Sequence, residues 1–126
     1  MENGSKPVIA WFEIPARDFD RAVNFYECIL TTKLKRETLG EETLAVFPYE
    51  GGVTSGCVMH AKWNGPSADG SVVYLHTGDH INTVLERVPA AGGRVETGRT
   101  ELPPGMGCYA RIIDSEGNRV GLHAMN

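Results

Sequence analysis

The strongest constraint on this chain is that its sequence states one pattern twice. Val8–Tyr26 reads as an apolar strand, a turn, Asp18 and then an amphipathic helix. Ser71–Ala91 repeats that order, with Asp79 in the place of Asp18. The first half closes on Val58-Met59-His60-Ala61 and the second on Gly121-Leu122-His123-Ala124. A unit of this size cannot bury a core alone, so the copies must pack on each other or on a second chain. The seam between them is where a ligand pocket belongs.

At 126 residues the chain is one domain with room for a core, and 41% apolar with 22% charged residues is ordinary globular composition. A net charge of -4 gives no electrostatic reason to expect nucleic acid or an anionic membrane surface as partner. No run of about 18 apolar residues is present. Met1–Lys6 lacks the apolar stretch of a secretory signal. The three cysteines, Cys28, Cys57 and Cys108, have no CxxC spacing and are odd in number, which fits a reducing, cytoplasmic setting. Each reads as a small buried hydrophobe, with a reactive thiol as the alternative.

Val8–Ile14 is rich in strand formers and stops at Pro15. Asp18 is placed to cap a helix whose buried stripe is Ala22, Phe25, Tyr26, Ile29 and Leu30. Short strands are predicted over 33–38 and 43–48, and a third over 54–61 after a break at Gly51-Gly52. Residues 64–70 form a polar linker full of breakers. A strand over 71–77 and a helix over 79–91 follow, with Pro89 ending or kinking its last turn and Gly92-Gly93 as the stop. Strands near 94–97, 107–113 and 118–124 complete the chain. Gly117 suits the hairpin between the last two, and 100–107 reads as a surface loop able to cover a pocket. The order strand–helix–strand–strand–strand, twice, predicts an α+β fold. Its two βαβββ modules span about 7–63 and 71–125 and form an open, barrel-like, mostly antiparallel trough with helices outside.

The Asp18-to-Phe25-Tyr26 spacing, Gly92-Gly93 after the second helix and the Asp114-Ser115-Glu116-Gly117-Asn118 hairpin resemble the vicinal oxygen chelate superfamily. It includes glyoxalase I, extradiol dioxygenases and bleomycin- and fosfomycin-resistance proteins. The resemblance runs from about Val8 to Ala124. It implies a metal held by His, Glu or Gln from four equivalent strands, at positions that fall here on Trp11, Val58, Val72 and Gly121. Gly121 stands where the family's Asn-x-x-Glu-Leu ending has its Glu, since this chain reads Asn118-Arg119-Val120-Gly121-Leu122. None of these four side chains can bind a divalent ion, so the family's usual metal centre is expected to be absent and no cofactor is expected.

Residues two apart on a strand share a face. Two steps from each lost ligand lie Glu13, His60, Tyr74 and His123, with His76 one step further. Glu13, His60 and His123 read either as a shifted site for a divalent metal or for acid–base catalysis, with Glu13 and His123 as catalytic candidates, or as half-exposed polar residues. In the second reading Glu13 pairs with Arg17 or Arg111. His80 reads as a solvated residue of the second helix's first turn. Trp11, Phe47, Tyr74 and Tyr109 suit a flat apolar ligand, and Trp63 marks a module or subunit contact. The leading expectation is a small-molecule-binding protein without the family's metal, its trough lined by Trp11, Glu13, Phe47, Val58, Val72, Tyr74, Tyr109, Gly121 and His123. The alternatives are a glyoxalase-like lyase, isomerase or dioxygenase using the shifted site, and a non-catalytic dimerising module. Under all three, two copies are expected to pair as a homodimer.

Overall fold

The computed structural model describes residues 8–49 and 53–126. The expected break at Gly51-Gly52 and the polar start Met1–Lys6 lie outside them. The first half contains β1 (Trp11–Pro15), α1 (Phe19–Leu30), β2 (Lys35–Leu39), β3 (Glu42–Val46) and β4 (Ser55–His60). The second contains β5 (Tyr74–His76), α2 (Ile81–Ala91), β6 (Arg94–Glu101), β7 (Cys108–Ile113) and β8 (Arg119–Ala124). Two four-stranded sheets result, in the orders β1-β4-β3-β2 and β5-β8-β7-β6. β1 runs parallel to β4 and β5 parallel to β8, while the other neighbours are antiparallel. This is the α+β architecture expected, with mixed sheets and no closed barrel.

Several boundaries move. β1 begins at Trp11 because Val8 and Ile9 are solvent-exposed and lack a core to pack on. β5 is three residues long, not seven. β6 runs on to Glu101 through two register shifts, taking Thr100 and Glu101 from the expected loop. The remainder, Leu102–Gly107, is a tight hairpin tip closed by Leu102 N donating to Gly107 O at 3.0 Å. His80, not Asp79, caps α2: its Nδ1 accepts from Asn82 N at 3.2 Å, so it is not merely solvated. Pro89 stays inside α2, which runs to Ala91 and ends on Gly92 at φ 107°. The amide that proline lacks is the one that would bond Leu85 O, so α2 gives up one rung there and closes two residues later. Cys57 and Cys108 are buried as expected, whereas Cys28 is exposed on α1.

One core serves both halves. Phe25, Tyr26 and Ile29 of α1 and Ile81, Val84 and Val88 of α2 meet Ile14, Phe47 and Val58 from the first sheet and Leu75, Ala110, Ile112 and Leu122 from the second. Each such side chain contributes about 1.5–3 kcal/mol on burial. Gly93 is required where α2 turns back over the second sheet. A Cβ there would come within 2.5 Å of Ile113 O and 2.7 Å of the Phe25 ring.

The β7–β8 hairpin fastens the halves together with polar groups. Asp18 caps α1 by accepting from Arg21 N at 3.1 Å. The Glu116 carboxylate adds a second cap from the other half, accepting from Arg17 N at 2.9 Å and Asp18 N at 2.7 Å. Arg21 closes on it with Nε at 2.7 Å. Beside it, Tyr26 donates its hydroxyl to Asp114 Oδ2 at 2.6 Å, and Asn118 Nδ2 donates to Pro15 O at 2.8 Å. Burial pushes the Glu116 carboxyl up, but the donors from Arg21, the Asp18 amide and Ser115 more than reverse this, leaving it below the usual carboxylate range. A carboxylate at a helix N-terminus is favoured by the unsatisfied amides and the dipole.

Because Glu116 is more acidic folded than unfolded, its contribution is complete above its usual pKa of 4.5 and is lost as pH falls through the lower folded value. Glu116→Ala is expected to cost about 3 kcal/mol at neutral pH. Glu116→Gln should flatten the loss of stability between about pH 5 and pH 3. Urea denaturation across that range checks both; an unchanged acid slope in the Gln variant would contradict this role.

Candidate functional site

The strand registers sort the expected site residues by face. Ile14 pairs with Val58 and Leu75 with Leu122, and all four lie in the shared core against the helices. Their neighbours therefore point to the other face: Trp11, Glu13, Cys57 and Met59 in the first half, and Tyr74, His76, Gly121 and His123 in the second. Glu13 pairs with Cys57, and Tyr74 with Gly121. The structural repeat mate of Gly121 is thus Cys57, and that of His123 is Met59.

This corrects the expected alignment of His60 with His123, which is off by one residue. Because strand side chains alternate, that slip turns Val58 and His60 to the helix side. Val58 is fully buried in the core, and His60 places Nδ1 2.8 Å from Ala16 O. Glu13, His60 and His123 do not converge, and among the described residues no group of three His, Cys, Asp or Glu side chains is positioned to hold a metal. Glu13 borders a hollow between the halves with Asn64, Ser67 and Asn118, and Arg111 bonds to Tyr74 instead.

The four positions implied for a family metal are therefore Trp11, Cys57, Val72 and Gly121, and they do not fit one. Cys57 is the single donor, and burial together with the Glu13 carboxylate pushes its thiol up to about 12. The space above Gly121 is taken by the Tyr74 ring, which a Cβ there would meet at 2.1 Å.

The two halves of this face differ. In the first, Leu44, Val46, Cys57, Met59 and Ala61 pack into a second buried cluster. In the second, Tyr74, His76, Leu102, Tyr109, Arg111 and His123 line an open hollow of about 490 Å³. Here Arg111 donates Nε to the Tyr74 hydroxyl at 2.7 Å, and its guanidinium lies 5.0 Å from the Tyr109 ring centre. The Tyr74 and Tyr109 rings meet edge-on at 6.2 Å. His123 Nε2 lies 2.8 Å from Met106 O, which seats the β6–β7 tip against the hollow, and its ring meets that of His76 edge-on at 5.7 Å.

A groove of about 660 Å³ runs beside this hollow between edge strands β1 and β5, lined by Trp11, Phe12, Phe47, Val72, Tyr74 and His76 among others. Phe47 is chiefly a core residue, its ring centre 5.7 Å from those of both Phe12 (tilted) and Tyr26 (edge-on). Trp11 and Tyr74 are each 43% exposed, large aromatic surfaces left open on opposite walls. Arg111 was missed as a site residue, although it lies two positions beyond Tyr109 on a predicted strand and so shares its face.

Two βαβββ halves joined through their helices, with a trough on the far side, define a paired-module α+β protein. The chain matches the Glyoxalase/Bleomycin resistance protein/Dioxygenase superfamily over residues 8–122 and belongs to it. Comparison with curated proteins finds no significant match. Among solved structures it is similar to glyoxalase I from Zea mays, with 19% identity and a TM-score of 0.66, covering 92% of this chain and 45% of that one. The chain thus spans less than half of the maize protein. It is also similar to TnmS3, an antibiotic binding protein from Streptomyces sp. CB03234, with 20% identity, a TM-score of 0.67 and coverage of 97% and 98%. A glyoxylase/bleomycin resistance protein/dioxygenase domain from Frankia sp. EAN1pec gives 20% identity, a TM-score of 0.68 and coverage of 95% and 98%. At these identities the likeness is one of fold.

Gly121→Ala is expected to force the Tyr74 ring off β8 and to cost about 1–3 kcal/mol. The change should appear as a lower melting temperature and a shifted Arg111 Nε–H resonance. A variant with both unchanged would mean that the ring does not depend on the missing side chain.

Proposed function

We propose that this protein binds a small, largely apolar or aromatic molecule in its trough, without the metal used elsewhere in the superfamily. The observation that carries this reading is the contrast between the packed first half of the trough and the open second half, whose walls are Tyr74, Tyr109, Leu102 and His123. Aromatic side chains left half exposed in a concavity supply stacking surface at low entropic cost. Trp11 and Val72 extend that surface along the groove between β1 and β5. The antibiotic-binding description of the similar Streptomyces protein supports the same class of role. The shifted site of the lyase, isomerase or dioxygenase alternative is not assembled, because Glu13, His60 and His123 stand apart.

Pairing of two copies belongs to this reading. Leu39 at 67% and Trp63 at 68% exposure flank one hollow and leave apolar surface for a partner chain. A reducing, intracellular setting fits the three unpaired thiols.

The test uses a Trp63→Phe protein, so that fluorescence reports on Trp11. N-phenyl-1-naphthylamine is expected to quench Trp11 saturably and to raise the melting temperature. Zinc, nickel, manganese and ferrous ions are expected to leave the melting temperature unchanged. Absence of saturable binding would overturn the proposal; a metal-dependent rise abolished by Cys57→Ser would overturn its metal-free part.

A further inference from the structure

We propose that Arg111 is an anion seat, and that the ligand class is a planar ring bearing a carboxylate or a comparable monoanion. This rests on the reading of the trough as a small-molecule site and adds the charge and the position of the ligand's polar end.

The seat follows from the sheet register. On β7, Arg111 stands opposite Gly121 of β8, which in turn stands opposite Tyr74 of β5. With no side chain at Gly121, the Tyr74 ring lies across that position and its hydroxyl reaches Arg111 Nε. Two residues away on the same strand, Tyr109 presents its ring to the guanidinium. The guanidinium is therefore held by one hydrogen bond and two aromatic rings, with centre distances of 5.0 and 5.8 Å. That arrangement uses only Nε. Among the described residues the two Nη groups have no partner, and they form the edge of the fork that matches a carboxylate.

Five of the seven other arginines show what this one lacks: Arg21, Arg36, Arg87, Arg99 and Arg119 each meet a carboxylate, on Glu116, Asp20, Asp79, Glu101 and Glu96 respectively. Arg17 and Arg94 also make no ion pair with a described carboxylate, but both are exposed to water and neither lines the hollow. Glu96 is near enough to feel Arg111, but both its oxygens are engaged by Arg119, at 2.6 and 3.0 Å. Arg111 makes no ion pair with a described carboxylate, yet it sits half-buried at the wall of a hollow otherwise made of rings and Leu102. A cation partly withdrawn from water and left without an ion-pair partner favours an incoming anion over a neutral group of the same shape. The rings beside it accept a flat body attached to that anion.

The experiment compares 2-naphthoate with 2-naphthamide, which share shape and differ in charge, by calorimetric titration of wild type, Arg111→Gln and Tyr74→Phe. Wild type is expected to bind the carboxylate at least about tenfold more tightly than the amide. Arg111→Gln should abolish the preference, so that carboxylate and amide bind with equal affinity. Tyr74→Phe, which only loosens the guanidinium, should give an intermediate preference. In wild type, 2-naphthoate should also shift the Arg111 Nε–H resonance, which keeps the seat testable if the Gln variant does not fold. Equal affinities in wild type, or a preference that survives in Arg111→Gln, would overturn the anion seat and leave the small-molecule reading standing. Binding of neither compound would overturn both.

Discussion

The structure depends on a carboxylate from one half capping a helix of the other. Glu116 reaches from the β7–β8 turn to the first amides of α1 and draws Arg21 over itself. Asp114 and Asn118 of the same turn hold Tyr26 and Pro15. These contacts are directional, whereas the apolar core beneath them is not. The core supplies the free energy that joins the halves, and the turn sets the angle at which they join. The separation of β1 from β5, and hence the width of the groove, is set by contacts made at the helices rather than in the trough.

On the trough face, small differences between the copies decide what space remains. Where the first half has Cys57 and Met59, the second has Gly121 and His123. The first pair is packed under Leu44 and Val46. The second leaves a depression into which Tyr74 leans and from which Arg111 projects. A single missing Cβ at Gly121 is what allows a tyrosine to reach an arginine across an intervening strand.

The architecture was legible because it rests on periodicity. The stripe Ala22, Phe25, Tyr26 and Ile29, the Asp18 cap and the left-handed Gly92 and Gly117 are local signals that tertiary contacts reinforce. Membership of the superfamily followed from the same positions. The candidate site was legible only as far as which face each strand residue takes, and that only in part. Trp11, Tyr74, Tyr109 and His123 do border the groove or the hollow. Val58 and His60 went to the wrong face because two histidines in similar endings invited an alignment one residue out, and a strand punishes such a slip by inverting every side chain. The correct mates are identified by backbone pairing, which no short match of letters reveals. Glu116 and Arg111 owe their roles to partners 98 and 37 residues away, so nothing near them in sequence announces either.

The filled first half and open second half carry a consequence for how such a chain can change. A duplicated scaffold has two equivalent surfaces, and here one has been committed to stability. Substitutions at Leu44, Val46 or Met59 therefore threaten folding, whereas those at Tyr74, Leu102, Tyr109 or Arg111 alter a cavity wall that little else leans on. On the proposed reading of the trough, new ligand preferences can be explored on one copy while the other acts as ballast. Recognition can drift in such a protein while its backbone stays still.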